Sequence, residues 1–329
     1  MTQPPTPPLL SIRGLKTYFD TEAGVAKAVD GVDLDVRRGE VLGLVGESGS
    51  GKSVTALSVL RLIPSPPGRI VGGTIEFKNR DLLALSWEDM RKIRGREISM
   101  IFQEPMTSLN PVFTIGMQVT EVIRQHEAVS KDDAKNRAIT ILTDVGIPDA
   151  ERRLSQYPHH LSGGMRQRVM IAMALALNPE LVIADEPTTA LDVTIQAQIL
   201  ELMLTQKERR PEAAILLITH NMAVVAETCD RVAVMYGGKI QEVAPVARLF
   251  ANPLHPYTQG LLESIPRVDG ERPVRLKVVP GTVPSILDMP AGCKFVTRCA
   301  KRFEPCAAHE PPLREIEPDH FVRCHLFGR

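Results

Sequence analysis

No stretch of this chain stays apolar for long enough to cross a bilayer. The longest uninterrupted run, Val169 to Leu177, is nine residues, against the roughly 20 that a membrane-spanning helix needs. An excess of charge of one sign is also missing. Lys plus Arg and Asp plus Glu both total 39, so the average field offers no general attraction to nucleic acid or anionic lipid. The opening Met-Thr-Gln-Pro-Pro-Thr-Pro-Pro has neither the basic start nor the apolar stretch of a secretory signal. The chain is therefore expected in the cytosol, where its five cysteines remain reduced unless a metal holds them. What is present is bulk: 329 residues, 43% of them apolar, can fill one large domain or a main domain with an appendage.

Gly46-Glu47-Ser48-Gly49-Ser50-Gly51-Lys52-Ser53 matches G-x-x-x-x-G-K-S. Glycines at that spacing let backbone N–H groups wrap phosphates, and the helix that follows offers its positive end. Lys52 is expected to reach the β- and γ-phosphates and Ser53 to hold Mg²⁺. The apolar run Val41-Leu42-Gly43-Leu44-Val45 reads as a buried strand leading into the loop, and residues from Lys52 onward read as helix. Leu181-Val182-Ile183-Ala184-Asp185 is a second buried-strand pattern, ending in two carboxylates. Asp185 is expected to orient Mg²⁺, and Glu186 to polarise an attacking water as general base. Ala214 to Ile218 forms a third such run, with His220 just beyond it.

The remaining patterns place these motifs in an α/β chain. Leu9 to Arg13 and Val32 to Val36 alternate like half-buried strands, and strand patterns return at Gly73 to Phe77 and Glu97 to Phe102. Ile115 to Gly146 reads as a helical insertion. Leu161-Ser162-Gly163-Gly164-Met165 opens a helical stretch, so Ser162, Gly163 and Gly164 would present an outward-facing helix start suited to an anion. After about Ala251 breakers and prolines multiply, and a smaller unit begins.

These motifs in this order resemble the ATP-binding subunits of ABC transporters. The resemblance implies a P-loop NTPase cassette over residues 1–252, with a RecA-like core, an antiparallel β lobe and a helical subdomain at about 104–170, followed by an extension at 253–329. It implies that Gln103 senses Mg²⁺ and contacts a membrane subunit, that Leu191-Asp192 is the D-loop, that His220 contacts the γ-phosphate, and that an aromatic residue near the N-terminus stacks on adenine, with Phe19 the better-placed candidate beside Tyr18. It also implies that Ser162 to Gly164 covers a nucleotide bound on an opposing cassette. Only one cassette is present, so the expected partner is a sister ATP-binding subunit or another copy of this chain. The residues Ser162 to Leu175 look like one of the two non-identical cassettes of peptide importers, which favours a heterodimer.

His255-Pro256-Tyr257-Thr258 and Gly292-Cys293-Lys294-Phe295 with Arg298-Cys299 resemble the C-terminal extension of dipeptide and oligopeptide importers. The implied function is ATP hydrolysis driving peptide import, at the cytoplasmic membrane face. Two transmembrane permease subunits and an extracytoplasmic peptide-binding protein would complete the assembly, with no nucleic acid. The alternatives are a nickel or other small-solute importer, or a soluble ABC ATPase acting on nucleic acid or ribosomes. The latter usually has two cassettes or a long coiled coil, and neither occurs here. Cys293, Cys299, Cys306 and Cys324 follow C-x5-C-x6-C-x17-C, without the C-x2-C knuckles of structural zinc. Four thiolates suit a [4Fe–4S] cluster, which the resemblance also implies, with Zn²⁺ as the alternative. A third possibility is a cysteine unit that senses redox state or iron and gates the ATPase.

Overall fold

The computed structural model describes residues 7–103, 108–187, 193–265 and 279–328. In chain order its strands are β1 (Leu10–Thr21), β2 (Gly24–Val36), β3 (Val41–Val45), β4 (Gly68–Phe77), β5 (Arg80–Asp81), β6 (Ile98–Ile101), β7 (Leu181–Asp185), β8 (Ala214–Thr219), β9 (Arg231–Tyr236), β10 (Lys239–Pro245), β11 (Arg314–Glu317) and β12 (His320–Val322). The chain divides into two compact units, Met1–Leu83 with Ile218–Arg329, and Ala84–Leu217.

In the first unit, β2, β1, β4 and β5 form an antiparallel sheet in that order. The alternation expected at the start of β1 is real: Leu10 and Ile12 are buried while Arg13 is exposed. The strand runs on to Thr21 through several register shifts against β2, which break the period-two pattern that marks a strand in sequence. A second, mixed sheet places β11, β12, β10 and β9 as antiparallel neighbours, with β3 parallel to β9. Every residue of β3 and β9 is buried, as unbroken apolar runs require when both faces are covered. Residues of the C-terminal region belong to this unit, where Glu242 of β10 pairs with Val322 of β12.

One apolar cluster backs this second sheet. It joins Val45, Val234 and Tyr236 to Tyr257, Cys293, Phe295 and Cys306. The rings of Tyr236, Tyr257 and Phe295 lie 4.8 to 5.3 Å apart by centroids, two of the three pairs edge-to-face.

In the second unit, β6 and β7 are parallel, Ile98 opposite Leu181 and Ile101 opposite Ala184, with β8 beside β7. The expected helical insertion is two helices, Ile115–His126 and Lys131–Asp144. They are separate because Ser130 caps the second, its hydroxyl accepting the Asp133 N–H at 3.1 Å. Ala134, Ala138 and Leu142 recur every four residues and form the buried face of that helix. Among the described residues, no helix is long and apolar enough to cross a membrane.

Candidate nucleotide site

The phosphate loop leaves β3 in a conformation only glycine adopts easily. Gly46, Gly49 and Gly51 have φ of 154°, 77° and 106°. A methyl group at Gly46 would lie 2.1 Å from the Met235 carbonyl oxygen, and one at Gly51 would lie 2.4 Å from that of Ala28. Gly51 is the N-cap of the helix Lys52–Val59 and supplies no side-chain cap, so the first N–H groups of that helix face the loop. Lys52 Nζ donates to the carbonyls of Gly46 at 2.8 Å and Glu47 at 3.1 Å, which holds the ammonium inside the loop with the residue only 5% exposed. Ser53, one residue on, is half-buried. A glycine-rich loop, a helix start and a confined cation together make an arrangement suited to a phosphate chain.

The first unit also contains both aromatic candidates and His220. The Tyr18 hydroxyl donates to Asp30 at 2.6 Å and Lys27 lies over its ring. Burial and that carboxylate push the Tyr18 phenol up to about 12. Phe19 is half-buried and its ring abuts Gly68, where an added methyl would meet it at 2.7 Å. His220 is exposed just past the end of β8.

The second unit holds the acidic strand end. Asp185 terminates β7 and is buried, while Glu186 adopts a φ of 45°, a left-handed conformation uncommon outside glycine. Gln103 Nε2 donates to Glu186 Oε2 at 3.2 Å, so two residues 83 positions apart meet. Gln167, which is buried and was not singled out from sequence, donates to the Pro187 carbonyl at 2.5 Å and thereby fixes the signature helix to this strand end. Ser162 caps the helix Gly163–Leu175, its hydroxyl accepting the Met165 N–H at 3.3 Å. Ser162 and Gly163 are exposed, and Gly164 is half-buried. The D-loop candidate Asp192, with Leu191, lies outside the described residues.

The C-terminal cysteines share one neighbourhood. Cys293 is within electrostatic reach of Cys324, Cys306 and Cys299, and Cys324 is within reach of Cys299 and Cys306. Burial pushes the thiols of Cys293 and Cys324 up to about 11. Among the described residues, no three His, Cys, Asp or Glu side chains converge closely enough to hold one metal ion. A single tetrahedral zinc ion, the alternative read from the sequence, would require its ligands to meet at one point. Cys229 stands apart as a thiol that burial pushes up to about 11, packed against the apolar cluster.

Two residues quoted from sequence without a role turn out to touch the loop. Arg298 pairs with the Glu47 carboxylate, and Tyr257 accepts the Glu47 N–H. The only signal for Arg298 was its place beside Cys299 in the C-terminal motif.

The ABC transporter family model matches residues 29–189, and the model for the C-terminal region of oligopeptide/dipeptide transporters matches residues 241–306. The chain is 53% identical over 321 residues to the oligopeptide transport ATP-binding protein AppD of Bacillus subtilis, covering 97% of each chain. It is 48% identical over 318 residues to the dipeptide transport ATP-binding protein DppD of the same organism, covering 97% of this chain and 94% of that one. The dimeric post-hydrolysis structure of the ATP-binding cassette MJ0796, bound to ADP and Pi, superposes with a TM-score of 0.65 at 26% identity, covering 72% of this chain and 98% of that one. The fold is thus the α/β cassette with an antiparallel β lobe. With a phosphate loop, an acidic strand end and a C-terminal region all of this type, the chain belongs to the ATP-binding subunits of ABC transporters, in their oligopeptide and dipeptide branch.

Proposed function

We propose that this chain hydrolyses ATP to drive the import of dipeptides or oligopeptides through separate membrane subunits. The observation that carries the cargo class is the match of residues 241–306 to the peptide-transporter C-terminal region, together with relatives named for oligopeptide and dipeptide transport. In this reading the loop Gly46 to Ser53 forms the triphosphate site, with Lys52 on the β- and γ-phosphates and the Glu47 N–H and carboxylate engaged instead by Tyr257 and Arg298, and Ser53, Gln103 and Asp185 orient Mg²⁺. Glu186 acts as general base on the attacking water, His220 contacts the γ-phosphate, and Phe19 stacks on adenine. Gln103, already bonded to Glu186, is placed to report the state of that base.

Ser162, Gly163 and Gly164 cover the nucleotide of an opposing cassette, and Asp192 completes the interface. ATP then glues two cassettes, and its cleavage lets them part. The solved neighbour MJ0796 is itself dimeric with ADP and Pi, which supports a paired cassette here. The partners in this reading are a sister ATP-binding subunit, two permease subunits and an extracytoplasmic binding protein, with this chain at the cytoplasmic face of the membrane. Purification from native membranes tests the reading: a sister cassette and integral membrane chains should co-purify. A strain lacking this subunit that imports di- and oligopeptides at the parental rate overturns the cargo assignment.

A [4Fe–4S] cluster at Cys293, Cys299, Cys306 and Cys324 is a second reading, supported by the packing of Cys293, Cys306 and Cys299 into one apolar cluster, where the Cys293 N–H donates to the Cys306 carbonyl at 2.8 Å. A cluster distributes its four cysteines over four irons, so the ligands need not converge as they would on one ion. The neutral His255 ring, whose Nδ1 accepts the Tyr257 N–H, carries its proton on Nε2. Among the described residues, that Nε2 and Thr258 Oγ1 are buried without a partner, on the helix that sends Tyr257 into the same apolar cluster as Cys293 and Cys306. Such a group would staple a region with little core of its own. Iron and sulfide analysis of anaerobically purified protein tests it, and absence of both removes the reading.

A further inference from the structure

We propose that the C-terminal region holds the phosphate loop in its nucleotide-binding form, with Arg298 and Tyr257 as positioning residues that act through Glu47. The proposal rests on the reading of Gly46 to Ser53 as the triphosphate site.

Glu47 is an awkward residue for such a loop. A carboxylate beside a triphosphate is a like charge next to the ligand, and it opposes binding unless neutralised. Arg298 neutralises it with a two-pronged contact, Nη1 to Oε2 at 2.5 Å and Nη2 to Oε1 at 3.0 Å. This is not a loose surface pair, since the Arg298 side chain is 5% exposed and that of Glu47 is 27% exposed. The guanidinium is itself fixed from several directions. Its Nε donates to the Pro280 carbonyl at 2.8 Å and Nη2 to that of Val279 at 3.2 Å, and its plane lies over the rings of Tyr236 and Phe295. A cation held this way presents its fork to Glu47 already oriented.

The backbone of Glu47 is tied as well. Its N–H donates to Tyr257 Oη at 2.9 Å, and the fully buried Tyr257 is packed edge-on against Tyr236. On its other side the Glu47 carbonyl accepts from Lys52 Nζ at 3.1 Å. Glu47 is therefore a link with three attachments: its side chain to Arg298, its N–H to Tyr257, and its carbonyl to the lysine of the phosphate loop. Any shift in the first two moves the seat of the third. A sequence separation of 251 residues between Glu47 and Arg298 makes this a device of the tertiary fold.

The same region makes a second attachment to the first unit. Glu310 pairs with Lys239 at 2.8 Å, and Lys239 with Asp30 at 3.7 Å, the carboxylate that receives the Tyr18 hydroxyl. The C-terminal region thus grips both the phosphate loop and the strand pair that carries the aromatic candidates.

The test is equilibrium binding of a fluorescent ATP analogue with Mg²⁺ to the full chain, with steady-state ATPase rates alongside. Arg298→Gln leaves Glu47 bare and should weaken binding about tenfold, raising KM while kcat changes far less. The double variant Glu47→Gln with Arg298→Gln removes the bare charge and should recover most of the affinity, a rescue that general structural damage would not give. A folded Arg298→Gln protein with parental affinity, or a double variant as weak as Arg298→Gln alone, overturns the proposal. Should Arg298→Gln fail to fold, Tyr257→Phe decides, because it keeps the ring and withdraws only the acceptor. Binding weakened at least about threefold supports the proposal, and unchanged binding overturns it. Lys52→Ala is the separate control: if it binds like the parent, the nucleotide-site reading falls, whatever Arg298 does.

Discussion

The chain contains two glycine-rich helix starts, and they are built in opposite ways. At Gly46 to Ser53 the glycines are required by the chain itself, because three of them have positive φ and two would drive a methyl group into a backbone carbonyl. Gly46 and Ser50 are buried while Ser48 and Gly49 are exposed, and the lysine of the loop is buried and bonded. At Leu161 to Met165, Ser162 and Gly163 are exposed, and among the described residues a methyl group on Gly163 would meet nothing within 4 Å. Gly163 is the first residue of its helix, and among the described residues no close approach there requires a glycine. Local sterics explain the first pattern, whereas the second makes sense when something from outside approaches closely.

The strongest tests separate fold from function at the phosphate loop. Lys52→Ala should abolish nucleotide binding while leaving the fold intact, because the bonds of its ammonium to the Gly46 and Glu47 carbonyls lie within the loop itself. Glu186→Gln should bind ATP normally and slow turnover on the order of a thousandfold, measured by single-turnover hydrolysis. Unchanged turnover removes the base assignment. Gly46→Ala should damage both properties, since the methyl collides with the Met235 carbonyl at 2.1 Å. Its destabilisation is expected at roughly 3 kcal/mol or more, measured by urea unfolding.

Acid should weaken the region behind the phosphate loop. His255 caps the helix that bears Tyr257, and burial drives its imidazole down to about 4, although Glu242, which accepts the His255 N–H, pulls the other way. Between pH 6.5 and about 4 the unfolded chain takes up a proton that the folded chain refuses. Stability is therefore complete above pH 6.5 and declines as the pH falls through that window, by up to roughly 3 kcal/mol. His255→Asn keeps a capping oxygen for the Tyr257 N–H and should flatten this dependence in urea titrations at pH 7 and pH 5. An equally steep loss in the variant assigns the acid sensitivity elsewhere.

Much of the architecture was legible because its strands are of the simplest kind. β3, β7 and β8 are buried on both faces, so they appear as continuous apolar runs, and the motifs follow at their ends. β1 and β2 were legible only in part, because register shifts scatter the alternation. β11 was not legible: all four of its residues are exposed, and only pairing with β12 makes it a strand. The phosphate loop, Asp185 and Glu186 lie in contiguous motifs and were readable as such. The links from Glu47 to Arg298 and Tyr257 and from Gln167 to Pro187 depend on chain crossings that spacing does not encode.

The smallest expected effect on stability distinguishes the two helix starts most cleanly. Gly163→Ala places a methyl group into open space at a helical φ, so thermal stability should stay within about 1 kcal/mol of the parent and shift upward if at all. The Ser162 cap would be untouched, because its hydroxyl bonds the Met165 N–H rather than Gly163. If Gly163 serves only the helix, ATPase activity should be equally indifferent. If the open start closes over a nucleotide on an opposing cassette, the methyl group stands where the phosphates must approach. ATP-dependent association, followed by light scattering in the Glu186→Gln background with the sister subunit supplied, should then be lost while binding to the isolated chain persists. Only that split, between an unharmed fold and a missing dimer, matches a glycine whose reason lies outside its own chain.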